Sequence, residues 1–285
     1  MSKKKRPTPV LPQSIGALFD SHTHLASTIA KGAGEGQDRR AATADLVERA
    51  GRAGVERICT VGDGLAETEL ALEAAESFDN VWAACAIHPT RADELDEAAK
   101  TRLIEMAANE RCVAIGETGL DAYWIKHDDT MPSLGVQEAA LRWHIDLAVS
   151  ARKALMIHNR EADEDLMRIL ADAPEPIDVI LHCFSSPLEV AREAIDRGYM
   201  LSFAGNATFK RNEELREAAR LAPADQILVE TDAPYMTPEP FRGARNEPGF
   251  VGYTAQVLAE VRGQSAAEFA ELVWANANRV FGLPG

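Results

Sequence analysis

Cysteine is scarce in this chain: Cys59, Cys85, Cys112 and Cys183 stand far apart, mostly inside apolar runs. No CxxC pair is present for a zinc or redox centre, so the expectation is buried free thiols in a reducing cytoplasm. Long apolar runs are also missing, and no stretch approaches the ~20 residues that cross a bilayer. Basic charge is in deficit, with 30 Lys and Arg against 45 Asp and Glu and a formal net charge of −15. That excludes a broad, non-specific grip on DNA or RNA; any such contact has to be local, through a metal or a few arginines. The first residues, "MSKKKRPTPVLPQ", are basic but run into prolines instead of an apolar signal core. A frayed tail over residues 1–15 is expected, with no secretory signal. No Gly/Ser linker, low-complexity tract or internal repeat divides the rest, and no GxGxxG follows the first apolar run.

What is present is a rhythm. The 285 residues are 46% hydrophobic and 26% charged, ordinary values for one large globular domain. Short apolar runs at Gly16–His22, Arg57–Gly62, Val81–His88, Cys112–Glu117, Ala154–His158, Val179–Phe184, Tyr199–Gly205 and Ile227–Asp232 read as eight strands. Amphipathic stretches such as "TADLVERAGRAG", "VQEAALRWHIDLAVSAR" and "LEVAREAIDRG" separate them. The alternation predicts parallel βαβ units closed into a single (β/α)8 barrel over residues 16–285, with an open doubly wound sheet as the alternative. "AKGAGEGQDRR" and "DAYWIKHDDTMPSLG" read as loops.

The polar residues fall at the strand ends. In "FDSHTHL", Asp20, His22 and His24 occupy alternate positions and would share one face of a strand. A solvated turn is one reading of that stretch; imidazoles converging on a metal ion are the other. The seven histidines decide between them, because five lie at or just after strand C-termini: His22, His24, His88, His158 and His182. Glu117 ends the fourth run and Asp232 the eighth. Active sites of such barrels are built on the C-terminal rim. Imidazoles and carboxylates gathered there make a site for divalent metal, with room for two ions. His22, His24 and Asp232 suit one, His158 and His182 the other, and Glu117 lies where a carboxylate bridges both. His127 and His144 are left for solvated or packing roles.

"FDSHTHL", "IHP", "GETGLD", "IHNR", "LHCFSS", "ETDAPY" and "FRGARNEP" occur in that order from about Leu18 to Leu283. Together they resemble the TatD family of metal-dependent deoxyribonucleases. The resemblance implies a TIM barrel of the amidohydrolase superfamily and phosphodiester hydrolysis. It also implies ligands at His22, His24, Glu117, His158, His182 and Asp232, the set already drawn from the strand ends. Four positions depart from the family's usual pattern: Ala26, Thr90, Ala122 and Ala244. None is a ligand, though each lies near where a substrate would sit.

The chemistry implied is hydrolysis with two divalent ions (Mg, Mn or Zn) that lower the pKa of a shared water and clamp a phosphoryl oxygen. The expected activity is a 3′–5′ deoxyribonuclease trimming single-stranded DNA through a metal-bridged hydroxide. Asp232 orients or deprotonates the water, or serves only as a ligand. His88 donates to a phosphate oxygen, or makes a structural hydrogen bond. Glu230 and Asp20 are expected to fix histidine tautomers. Arg160, Arg242 and Arg245 are candidate phosphate contacts, with loop packing on Glu247 competing for the last two. Tyr123, Trp124 and Phe209 either stack on a base or simply pack. DNA is the expected partner, with no membrane and no obligate protein. A deacylase, for instance on aminoacyl-tRNA, is the alternative; a non-catalytic binding barrel is the other, and it has little need of six ligand residues. Dinuclear amidohydrolases with a carboxylated lysine bridge carry it at the end of the fourth strand, where this chain has Glu117.

Overall fold

Each apolar run of the sequence forms a strand, and each strand is followed by at least one helix. The computed structural model describes residues 8–32, 38–174 and 178–285. The strands are β1 (Leu18–Thr23), β2 (Val55–Thr60), β3 (Val81–Ala84), β4 (Cys112–Asp121), β5 (Ala154–Arg160), β6 (Val179–Leu181), β7 (Met200–Phe203) and β8 (Ile227–Val229). The helices are α1 (Leu25–Ala30), α2 (Arg39–Arg52), α3 (Leu65–Ser77), α4 (Glu97–Ala107), α5 (Ala122–His127) and α6 (Leu134–Ala151). After them come α7 (Asp163–Asp172), α8 (Leu188–Asp196), α9 (Glu213–Leu221), α10 (Val251–Arg262) and α11 (Ala266–Val280). All strands are parallel and stand in sequence order, giving the expected (β/α)8 barrel.

The seam between β8 and β1 is fastened by side chains as well as backbone. Asp232 N–H donates to the His22 carbonyl (3.0 Å) and His24 N–H to the Ala233 carbonyl (2.7 Å). The Ser21 hydroxyl donates to the Val229 carbonyl (2.9 Å). Thr231 gives both its N–H (2.7 Å) and its hydroxyl (2.6 Å) to the Asp20 carboxylate. This corrects the expectation for Asp20, whose carboxylate closes the barrel instead of fixing an imidazole. The strict alternation assumed for "FDSHTHL" fails because β1 shifts register between Asp20 and Thr23.

Apolar residues form two layers. Phe19, Met156, Ile180, Met200 and Leu228 fill the barrel interior. Phe19 also meets Trp82, Trp274 and Phe281 at ring distances of 6.0, 6.4 and 5.2 Å, closing the N-terminal end. Leu18, Ile58, Leu155 and Leu201 face outward against helix residues such as Leu141, Ile145 and Ile169. The polar residues are thereby left to the opposite, C-terminal rim.

Three boundaries differ from the sequence reading. β3 stops at Ala84, and the chain turns so that Pro89–Glu94 forms a 3-10 turn capped by His88. β4 runs on to Asp121, four residues past Glu117. Gly119 permits this: its φ is +147°, and a Cβ there would stand 1.9 Å from the His158 carbonyl oxygen. Part of the expected loop after β4 is helical, because the Asp121 carboxylate accepts from Trp124 N–H (2.7 Å) and caps α5. Of the expected tail, residues 8–15 are described: Pro12 is buried, Ile15 packs on the core and the Tyr253 hydroxyl donates to the Val10 carbonyl. Residues 1–7, with the "KKKR" cluster, and 33–37 of the glycine-rich loop lie outside the described residues. The four cysteines are free, three of them buried. No helix among the described residues is long and apolar enough to cross a membrane.

His144 is a fully buried strut between α6 and the strand ends. Its Nδ1 contacts the Ala140 carbonyl (2.8 Å) and the Thr118 hydroxyl (3.2 Å), while its Nε2 accepts from Ile87 N–H (3.3 Å). A second proton would point at that N–H, and burial holds the group down at about 4 against an ordinary 6.5. The unfolded chain therefore binds more protons between pH 4 and 6.5, so stability falls as pH drops through that window and levels off below it. The interval is worth about 3 kcal/mol at ~1.4 kcal/mol per pH unit. Urea denaturation of the wild type and His144→Gln should show the wild-type advantage at pH 7 shrinking by that amount at pH 4. An advantage that stays constant over the window contradicts the assignment.

Candidate metal centre

The barrel brings together residues separated by up to 210 positions. His22 is the last but one residue of β1, His24 caps α1, Glu117 lies within β4, His158 within β5, and His182 and Asp232 follow β6 and β8. Asp232 adopts φ +53°, a left-handed conformation that Asp tolerates better than most residues. Its Oδ1 stands 3.7 Å from His22 Nε2 and 3.5 Å from His24 Nε2.

Glu117 is the common neighbour. Its Oε1 lies 3.3 Å from His24 Nε2 and 3.7 Å from His22 Nε2. Its Oε2 lies 2.8 Å from His182 Nε2, 3.4 Å from His158 Nδ1 and 3.8 Å from His88 Nε2. The rings of His22 and His182 stack at 3.9 Å, so the two sets adjoin. Three overlapping groups have ligand atoms close enough to hold a metal ion: His22 with His24 and Glu117, His22 with His182 and Asp232, and His88 with Glu117 and His158.

Each ring presents one nitrogen to this centre and rests the other on an outer partner, the arrangement that orients metal-binding imidazoles. His182 Nδ1 meets Glu230 Oε1 (3.2 Å), and Glu230 in turn accepts from Cys183 N–H and the Ser202 hydroxyl. His158 Nε2 meets Asp121 Oδ2 (3.1 Å). His24 Nδ1 faces Asp63 Oδ1 at 3.4 Å but is buried without a hydrogen bond. His22 Nδ1 lies 3.0 Å from the Met156 sulfur. Thr90 N–H donates to His88 Nδ1 (3.2 Å) and the Thr90 hydroxyl stands 2.6 Å away. Accepting there leaves His88 its proton on Nε2, facing the centre.

Burial and mutual charge pull these groups apart electrostatically. Burial alone would raise Glu117, yet His182 and its neighbours hold it well below the usual carboxylate range. His182 is pushed well up by Glu117 and Glu230 against burial, and Asp232 and Glu117 bring His24 to about 9. Burial drives His22 well down, and burial with His158 drives His88 to about 3. A crowded, buried set of imidazoles and carboxylates that must divide its protons so unevenly suits a bound cation, which replaces protons as the counter-charge.

The candidate substrate residues stand around the mouth and do not touch the centre. The guanidinium of Arg160 covers the Tyr123 ring at 3.7 Å, and that of Arg242 lies 4.2 Å from the Phe209 ring. Arg245 packs over Gly32, where a Cβ would collide with it. Glu247, the competing partner expected for these arginines, is instead held by Arg49 Nε (3.2 Å) and a terminal nitrogen (3.0 Å). Sequence reasoning passed over Asp63, Thr90, Asp121 and Met156 as outer partners. Asp121 carried a signal, since it alternates with Glu117 and Gly119 in one strand; Asp63 and Thr90 lie in irregular segments with no period to read.

Comparison with known proteins places the chain among metal-dependent hydrolases. Residues 19–282 match the family described as TatD related DNase. "Uncharacterized metal-dependent hydrolase TatD" of Mycobacterium tuberculosis is 46% identical over 93% of this chain and 98% of its own length. "3'-5' ssDNA/RNA exonuclease TatD" of Escherichia fergusonii is 32% identical over 84% of this chain and 92% of its own. The crystal structure of YJJV, a TatD homolog from Escherichia coli, superposes with a TM-score of 0.82 at 26% identity, over 95% of this chain and 100% of that one. This chain belongs to the TatD-related DNase family of metal-dependent hydrolases.

Proposed function

We propose that the chain is a divalent-metal-dependent phosphodiesterase that trims single-stranded DNA from its 3′ end in the cytoplasm. The observation that carries the reading is Glu117, whose two oxygens face different sets of imidazoles. A relative 32% identical to this chain bears the name of a 3′–5′ ssDNA/RNA exonuclease, which supports the nucleic-acid half. His22, His24 and Asp232 with Glu117 Oε1 would hold one ion, and His158 and His182 with Glu117 Oε2 the other. Two such ions, Mg, Mn or Zn, would supply a water of lowered pKa and neutralise negative charge on the phosphoryl oxygens.

The chain's own groups do the rest. Asp232 orients that water and takes its proton, being the carboxylate opposite Glu117 at the rim. His88 donates from Nε2 to a phosphoryl oxygen, since its Nδ1 is occupied by Thr90. Arg160, Arg242 and Arg245 bind flanking phosphates; among the described residues no carboxylate is paired with any of them. An acidic barrel with a recessed centre admits a flexible strand end more easily than a rigid duplex.

Metal analysis tests the bridge. Glu117→Ala should lose both ions, whereas His182→Ala should keep the one held by His22, His24 and Asp232; full metal content in Glu117→Ala rules the bridge out.

The substrate class is tested by offering the stripped enzyme, reloaded with Mg, Mn or Zn, single-stranded DNA, duplex DNA, RNA and acyl esters. Single strands should be shortened from the 3′ end faster than any other substrate reacts. Faster cutting of closed circular duplex, or turnover of esters alone, overturns the proposal.

Chemistry and grip separate in two variants. Asp232→Asn should lower kcat by about 10³-fold, with little effect on KM. Arg245→Ala should raise KM about tenfold and flatten its salt dependence while sparing kcat. An Arg245→Ala enzyme with unchanged KM and salt slope removes the arginine from the binding surface.

A further inference from the structure

The mouth of the barrel carries two large aromatic rings that the hydrophobic core leaves uncovered. Trp124, on α5 just beyond β4, is 41% exposed, and Tyr235, in the loop after β8, is 42% exposed. In an eight-stranded barrel with strands in sequence order, β4 and β8 stand diametrically opposite, so the rings flank the centre from two sides. Each has cations beside it in a chain whose net charge is −15. The Lys31 ammonium sits 3.7 Å from the centre of the Tyr235 ring, and Arg245 lies against Gly32, the next residue after Lys31. Arg160 lies 5.7 Å from the Trp124 ring.

Both residues are linked to the candidate ligands, Tyr235 by its ring and Trp124 by its backbone. Tyr235 meets the His24 ring edge-on at 5.9 Å. The backbone of Trp124 is fixed through Asp121, whose Oδ1 accepts from the Trp124 main-chain N–H and whose Oδ2 meets His158 Nε2. An accessible ring with adjacent cations matches a base with its flanking phosphates.

We infer that Tyr235 and Trp124 are two base-stacking stations for a single nucleic-acid strand. The phosphodiester between the two stacked nucleotides lies over Glu117. This rests on the phosphodiesterase reading above and deepens it. A strand so held has its two terminal bases turned away from each other, which a paired duplex end does not permit. The site therefore requires at least a dinucleotide and selects against base-paired ends. Lys31, displaced from the face of Tyr235 by the base, is left beside the phosphate.

A cycle between protein and substrate tests this. Single-stranded DNA pentamers are prepared intact, or lacking the base at the last or the penultimate nucleotide. With the metal-loaded wild type, removing either base should lower kcat/KM about tenfold. In Tyr235→Ala one of those deletions, and in Trp124→Ala the other, should cost less than about twofold, because the stacking partner is already gone. Tyr235→Phe should restore the wild-type pattern. Binding gives an independent readout: pentamers with 2-aminopurine at either position should lose fluorescence on the wild type, and only one of them on each alanine variant. If the alanine variants lose the same factor with and without the base, the rings are structural and the inference falls. Quenching at both positions without strand cleavage would keep the stacking stations and overturn the phosphodiesterase reading. Cleavage without quenching would do the reverse.

Discussion

Glu117 is buried at the rim with its oxygens 2.8 to 3.8 Å from nitrogens of five imidazoles. A carboxylate taken out of water costs several kcal/mol unless charge and hydrogen bonds compensate it, and here the compensation comes from four different strand ends. The requirement runs outward from there. Glu230, Asp121, Met156 and Thr90 meet the second nitrogens of His182, His158, His22 and His88, while Asp63 approaches that of His24 at 3.4 Å without a hydrogen bond. Those partners in turn lean on Ser202, Trp124 and backbone N–H groups. The polar mouth is therefore one connected network in which most groups are satisfied only because all the strands are in place.

The scaffold separates two tasks by height along the barrel. The N-terminal end is apolar, closed by Phe19 and the rings around it, and the interior above it is filled by methionine and aliphatic side chains. That filling forces water and polar groups to the C-terminal end and gives the imidazoles a dry floor, with Met156 directly under His22. Low polarity beneath the site strengthens every charge interaction within it. The seam of the barrel runs through the same place. Asp20 and Thr231 clamp β1 to β8 within two residues of His22 and Asp232, so barrel closure and site geometry depend on the same hydrogen bonds.

Much of this was legible in one dimension. The alternation of short apolar runs with amphipathic stretches shows all eight strands and the parallel barrel. Histidine and carboxylate at strand ends pick out the residues the fold gathers around Glu117. Uninterrupted strand alternation groups Asp20 with the imidazoles, and the register shift in β1 breaks that alternation. The segment after β4 reads as a loop because its helix is a single short element with no buried residue, so it leaves no apolar stripe. What starts it is the Asp121 cap, whose second oxygen serves His158.

Periodicity and residue type belong to the covalent chain, and by themselves they determined the strands, the barrel class and the imidazoles and carboxylates of the rim. Which groups stand behind those ligands was decided only by closure of the sheet, since Glu230 meets His182 across 48 residues and Asp20 meets Thr231 across 211. The opposition of Trp124 and Tyr235 is likewise a property of the circle: two exposed aromatics read as isolated side chains until the strands bearing them stand on opposite sides of one mouth. Local sequence sets what each residue can do, and long-range packing sets what it faces, because the partners come from strands that meet only when the barrel is complete.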